Sequence, residues 1–505
     1  MKLFGGGRPD HPMADPKEAR RLLDELPAQD PLKALEELAH WHESVSMAEG
    51  FRPEARIELH FTIDEAAQPR IKKVARDYLA VARPSRFQEN RMWTHVYEYC
   101  RQSGHAYALS VDAVLQGAKG ADAAKPLLPL LVVRALRALS QQIKWLHLRY
   151  GPIDPAMWRV LNGVYAFAES RVLVDETAAP FAGVPESTPR REFLAAMMLS
   201  LSSPDSLLPA EVDLAERAIA ELGGNFAIAK EGGAGLSHWI DLGDPMAPLR
   251  LAKLPQPTPG LRFLGPGSAL AGLEVLMRRI EATGQLPPAL AGGAIGDTET
   301  ALEVLQHLHL YWSPALPERK HPRHNVKSRL SIVHGFAGVV VALNGGGASA
   351  DSDKQTTENW IVENVSAGGF GAVVPQAKGD WLKIGTLLAM QPDGGNNWVV
   401  GMVRRVSKVS NQEARVGIQT LSRAPELTRF ALRGNKEQEQ AGVLLPAAGL
   451  GTGEASVALP TGVFVPGQNL ENQRGGHSYV YMPQEVAERG DDYDIVRFRE
   501  MIRDS

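Results

Sequence analysis

Two prolines, Pro314 and Pro317, mark the place where the hydrophobic period of the chain changes. Upstream the apolar residues recur three and four apart. Leu32, Leu35, Leu38 and Val45 fit one helix face, and Val132, Leu136, Leu139, Ile143, Leu146 and Tyr150 line another, which Gly151-Pro152 ends. A third helical stripe runs through Val212, Ala215, Ile219 and Leu222 to Gly223-Gly224. Downstream of the prolines, stretches 331–343, 360–375, 384–390, 398–409 and 415–421 read as strands. A chain that switches from one period to the other is a multidomain α+β protein, not a single repeated architecture.

The expected divisions follow these shifts. Residues 1–16, rich in Gly and Pro, read as a flexible tail and 17–222 as a mostly helical region. The Pro- and Gly-rich stretch 223–267 reads as irregular or β, and 268–312 as helical again, first over 270–280 and then from an N-cap at Asp297. A linker and β-domain occupy 313–433. The charged and Gln-rich run 436–440 sets off a further small β-unit, 434–505, with strand-like pieces that include 463–465. Asn344-Gly345-Gly346-Gly347 and the polar run to Glu358 read as a long hairpin loop, because no helix pattern follows the glycines.

At 505 residues and 44% hydrophobic, the chain can bury several cores. Its net charge of -4 argues against a general binder of nucleic acid or membrane surfaces. Residues 318–433 nevertheless carry fifteen Lys and Arg against nine Asp and Glu, so the expected β-domain is the basic part of an acidic chain. Cys100 is the one cysteine, which excludes an intrachain disulfide and fits a cytoplasmic protein. No signal-peptide core is present, and the most apolar run, 127–133, is too short for a membrane span.

Catalytic and metal signatures are missing from the sequence. On a helix the histidines of His40-Trp41-His42 and of His307-Leu308-His309 point about 200° apart, so neither pair reads as a metal site. No HExxH, paired CxxC, Walker A or GxSxG motif occurs. The expectation is a protein without catalytic residues, metal or cofactor.

What remains is a constellation suited to an anionic nucleotide. Arg319 and Arg323 frame Glu318-Arg319-Lys320-His321-Pro322-Arg323, where Pro322 favours an extended chain, so the two guanidinium groups span about 13 Å at roughly 3.3 Å per residue. Each fork can grip a phosphate or a guanine edge, or lie on a purine ring. Downstream, Asn364 and Ser366 share one face of a β-rich run, and Gly368 and Gly369 let a ligand approach the backbone. Arg404 and Arg405 lie on a later strand whose alternation sends them to opposite faces, so at most one should meet the ligand.

At these residues the chain resembles the PilZ family, whose signature is RxxxR in a linker followed by D/N-x-S-x-x-G on a barrel strand. The resemblance covers about 318–425. It implies a six-stranded antiparallel β-barrel that binds the bacterial second messenger cyclic di-GMP through Arg319, Arg323, Asn364, Ser366 and Gly369, with Lys320, Gly368 and Arg404 as further candidates. It also implies an effector that acts through protein partners, here through the helical region, in motility, pili, exopolysaccharide or biofilm control. Two other readings stand beside it: a scaffold whose barrel works without ligand, and a helical enzyme gated by cyclic di-GMP.

Overall fold

The computed structural model describes residues 9–80, 85–315, 321–345, 357–375, 381–410, 412–432, 435–446, 451 and 453–503. The chain divides into two compact units, 1–149 with 153–317, and 150–152 with 318–505.

The first unit is helical. Its helices are α1 (Pro16–Asp24), α2 (Pro31–Met47), α3 (Pro53–Leu79), α4 (Arg86–Leu115), α5 (Leu128–His147), α6 (Pro155–Ser170), α7 (Pro189–Leu201), α8 (Pro209–Glu221), α9 (Ala269–Thr283) and α10 (Thr298–Trp312). Proline at the first position opens α1, α2, α3, α6, α7 and α8, where its missing N–H costs nothing. Asp15, Asp30, Asp154, Thr188 and Asp297 supply the capping oxygen. Between α8 and α9 the Pro- and Gly-rich stretch forms a small antiparallel sheet, β1 (Ala227–Ala229), β2 (His238–Asp241), β3 (Leu249–Arg250) and β4 (Leu261–Gly265), in the order β1-β4-β2-β3. Of the expected sixteen-residue tail, residues 1–8 lie outside the described ones, and residues 12–14 form a 3-10 turn. Met13 is buried, and the His11 ring packs edge-on against Trp41 and Phe51 at 6.1 and 5.7 Å.

A closed polar network sits in the middle of α2, α3 and α4. Asp64 Oδ1 accepts from the Tyr99 hydroxyl at 2.7 Å and Oδ2 from the Tyr107 hydroxyl at 2.8 Å. Because Tyr99 gives its proton to Asp64, His42 Nε2, 3.2 Å from the Tyr99 oxygen, must be the donor there. His42 Nδ1 is then the acceptor in its 3.0 Å contact with His60 Nδ1. Both histidines are fully buried, so this is a core arrangement; His42 turns inward while the exposed His40 turns away from it.

The second unit holds two closed antiparallel barrels. The first contains β5 (His324–His334), β6 (Glu358–Ser366), β7 (Gly369–Pro375), β8 (Leu387–Pro392), β9 (Val399–Lys408) and β10 (Glu413–Ser422). The second contains β11 (Glu426–Leu432), β12 (Asn435–Leu444), β13 (Glu454–Pro460), β14 (Leu470–Arg474), β15 (His477–Arg489) and β16 (Tyr493–Arg503). Numbered one to six within each barrel, the strands pair identically in both: 1–2, 2–3, 3–6, 6–5, 5–4 and 4–1.

Five expectations differ from the structure. Residues 335–343, read as strand, form helix α11 (Gly335–Leu343). Its Val-rich sequence has high β propensity, but tertiary packing overrides it. Phe336, Val339 and Ala342, three apart, bury themselves between Leu387, Ala389, Val400 and Met402 of the first barrel and Val443, Leu445, Ala458, Tyr493 and Ile495 of the second. The 344–358 segment therefore leads from a helix into β6 and is not a hairpin loop; its residues 346–356 lie outside the described ones. The boundary at 433 also moves, because β11 pairs with β12 and β14, so the first barrel ends at Ser422. The polar run 436–440 is strand within β12, and 463–465 falls outside any strand. A polar run inside a strand looks like a linker when only composition is read.

Candidate functional site

Antiparallel partners share a face, so the registers can be followed around the outside of the first barrel. Asn325 faces Asn364, Asn364 faces Gly371, Gly371 faces Gly417, and Gly417 faces Arg405. In the next row Ser366 faces Gly369, which faces Gln419. Arg405 and Gln419 are exposed, so both rows lie on the outer wall. Asn364 and Arg405 are three strands apart, about 14 Å at ~4.8 Å per strand, with only glycines between them.

Bulges aim these side chains. Val362 faces Ala372 and points into the core, yet Asn364 faces Gly371, so Glu363 is an extra residue that turns Asn364 to the outside. Asn364 and Ser366 keep the shared face that alternation predicts. Between Val403, opposite Ile418, and Arg405, opposite Gly417, Arg404 is likewise extra. Alternation fails there, and both Arg404 and Arg405 are exposed on the outer wall, contrary to the expected opposite faces.

The glycines answer to close contacts. A Cβ at Gly371 would stand 2.6 Å from Asn364 Nδ2, so the amide lies flat across that strand. A Cβ at Gly369 would overlap the Ile418 carbonyl oxygen on β10, which makes this residue a demand of the barrel wall before any ligand arrives. Gly369 carbonyl accepts from the Ser366 hydroxyl at 3.4 Å, closing the Ala367-Gly368 turn.

The arginine segment reaches the same corner. His324 faces Val365, and the same register carries the exposed Arg323 to the Ser366 end of β6. The His321 ring lies against the turn, its Cδ2 3.3 Å from where a Cβ of Gly368 would be. Arg319 and Lys320 lie outside the described residues. Arg404 is engaged elsewhere: its Nε donates to Gln419 Oε1 at 2.7 Å and its Nη2 to Glu488 Oε2 of β15 at 2.7 Å.

Residues missed in the sequence complete the corner. Arg423 Nη2 donates to the Ala367 carbonyl at 3.2 Å, which brings another guanidinium to the turn. Gly371, Gly417, Gln419 and Arg405 belong to the rows described above. Gly369-Phe370-Gly371 places two glycines on one strand face, and Gly417 is an isolated glycine inside a strand, so both carried a readable signal of close approach. Gln419 carried none, since only the pairing of β10 and β7 brings it to the motif, and Arg405 was expected only as one of an alternating pair with Arg404.

The far end of β5 and β6 is plugged. The His334 ring stacks on Trp381 at 4.0 Å and Trp381 on Trp360 at 5.8 Å, and both indole N–H groups donate to Glu358, at 3.2 and 3.1 Å. Burial holds the His334 imidazole below its ordinary value. The second barrel does not repeat the polar corner. Where the second strand of the first barrel ends in Asn364, Val365 and Ser366, that of the second barrel and the residue after it carry Val443, Leu444 and Leu445, all buried.

The first barrel, a closed six-stranded antiparallel barrel bearing this outer face, is a PilZ domain. More particularly, residues 17–231 match the family model of the N-terminal domain of the cyclic-di-GMP receptor FimW, and residues 341–426 match that of its middle PilZ domain. The second match takes in β6 to β10, with Asn364, Ser366 and Gly369, and begins after the arginine segment. No curated protein matches the chain. Among the described residues no helix is long and apolar enough to cross a membrane.

Proposed function

We propose that the chain is a cytoplasmic effector that binds cyclic di-GMP on the outer face of the first barrel. The observation that carries this reading is the pair of rows in which Asn364 and Ser366 stand across a glycine floor from Arg405 and Gln419. The match to the middle PilZ domain of a cyclic-di-GMP receptor supports it. In this reading Arg319 and Arg323 bind phosphate or guanine edges, with Lys320 adding charge. Asn364 and Ser366 supply neutral hydrogen bonds, Gly368 and Gly369 admit the ligand to the backbone, and Gly371 makes room for the Asn364 amide.

The arginine segment precedes the barrel, and Asn364 and Ser366 belong to the barrel, so a ligand that touches both pins the joint to the wall. Arg319, Lys320, Arg323 and Lys327 stand against Glu318 in that joint, a like-charge excess that two phosphates neutralise. Ordering the joint biases the arrangement of the helical region and the barrel, and protein partners of the helical region read the change. Family resemblance suggests motility, pili, exopolysaccharide or biofilm control as the output.

A thermal shift with cyclic di-GMP against GMP tests the binding: ligand at 100 times its Kd stabilises by about 2.7 kcal/mol. Hydrogen exchange and small-angle scattering test the rearrangement. The reading expects protection at 318–329 and a changed scattering profile; binding with neither change refutes the switching step.

A further inference from the structure

The turn between β15 and β16 is an acidic clasp on the first barrel. Glu488 Oε2 accepts from Arg404, Asp491 pairs with Lys383, and Asp492 Oδ2 accepts the Phe336 backbone N–H at 2.7 Å at the start of α11. The Tyr493 hydroxyl donates to the Gly385 carbonyl at 2.6 Å. Two glycines make room for it. A Cβ at Gly335 would stand 2.9 Å from Asp492 Oδ2, and one at Gly490 would overlap the Tyr493 ring.

Three of these four anchors, at Lys383, Gly385 and Phe336, belong to the β7–β8 connection and to α11. Arg404 differs. It is the bulge residue beside Arg405, and through its Nε it holds Gln419, which faces Gly369 of the binding motif. One guanidinium thus joins the ligand face to the clasp.

We propose that Glu488 is a built-in anionic occupant of Arg404, which a phosphate of the bound dinucleotide displaces, so that ligand binding releases one anchor and loosens the clasp of the second barrel. The inference rests on the cyclic di-GMP reading above. The Arg404–Glu488 pair is partly open to solvent, with side chains 41% and 27% exposed, so its attraction is screened and a phosphate can replace it at little cost. A phosphate preserves the charge pairing of Arg404 and can accept two of its N–H groups at once. The second barrel is suited to report the exchange and not to compete for ligand, because its own corresponding corner is filled by Val443, Leu444 and Leu445.

Calorimetry of the full chain with cyclic di-GMP, together with hydrogen exchange on the parent, tests the exchange. Glu488→Gln should bind about 3- to 10-fold more tightly, because the intramolecular competitor is neutral. Arg404→Ala should bind about 10-fold more weakly, and the double variant should behave like Arg404→Ala, the gain being lost with the arginine. Ligand should speed exchange at 486–495 in the parent, a readout that needs no variant to fold. A parent that binds, with Glu488→Gln unchanged and exchange at 486–495 unaltered, overturns this proposal alone. A parent that fails to bind overturns the ligand reading and this proposal with it.

Discussion

Asn364 stands directly across the ladder from Gly371, and its amide occupies the space that a side chain at 371 would fill, with Nδ2 2.6 Å from an ideal Cβ position. Gly371→Ala should therefore turn the amide away from the wall while sparing the backbone ladder. The expected outcome is a loss of about 1 to 2 kcal/mol in cyclic di-GMP binding, one or two hydrogen bonds' worth, with a smaller change in stability. Calorimetry and a thermal melt on the same variant separate the two effects.

Gly369 should behave differently. A Cβ there meets the Ile418 carbonyl oxygen, so Gly369→Ala forces β7 and β10 apart. Melting should fall sharply even without ligand, and Gly369→Val should fall further. A Gly369→Ala variant that melts like the parent and only loses affinity would show that the ligand, not the wall, sets the requirement.

The two linker arginines should each contribute about 1.5 to 3 kcal/mol to binding, since each is a charge-assisted contact. Arg323 is exposed, so Arg323→Ala should leave melting unchanged. Ser366→Ala should cost less than 1 kcal/mol, because its hydroxyl already donates, at a long 3.4 Å, to the Gly369 carbonyl. Equal losses for Ser366→Ala and Arg323→Ala would contradict the division of roles.

Much of the strand pattern and of the motif face was legible because both are local, whereas the closed barrel was expected only from the family resemblance. Asn364, Ser366 and Gly369 lie within six residues, and the shared face of Asn364 and Ser366 follows from strand alternation. Long-range pairing was not legible. Arg405 and Gln419 reach the motif only because β10 closes the barrel between β9 and β7, and Arg404 meets Glu488, 84 residues away, across two barrels. Bulges at Glu363 and Arg404 reversed the alternation on which face assignments depend. At α11 a valine run with strand propensity became a helix, because two barrel surfaces bury one helical stripe. The twin strand order of the barrels had no counterpart in residue pattern.

The helical unit should lose stability in acid. Burial is the largest cause that holds the imidazoles of His42, His60 and His147 below the ordinary value of 6.5, His42 at about 3 and His147 at about 4. Each is lower in the fold than in the unfolded chain, so its contribution is complete above pH 6.5. It is lost as pH falls from 6.5 toward those values, because only the unfolded chain takes up the proton. At pH 4.5 the loss is about 2 to 3 kcal/mol for His42. Denaturant unfolding at pH 7 and pH 4.5 checks this, and His147→Gln should show a weaker pH dependence than the parent. An identical slope would rule out His147 as a contributor.

The proposed binding of cyclic di-GMP joins the outer face of the first barrel to the preceding arginines. Titration calorimetry of the full chain with cyclic di-GMP, for the parent and for the Arg319→Ala, Arg323→Ala double variant, tests it most directly. The parent should bind saturably, and binding should weaken by about 3 kcal/mol or more in a double variant that melts at the parent temperature. Unchanged affinity in the folded double variant, or no heat from the parent, would contradict it.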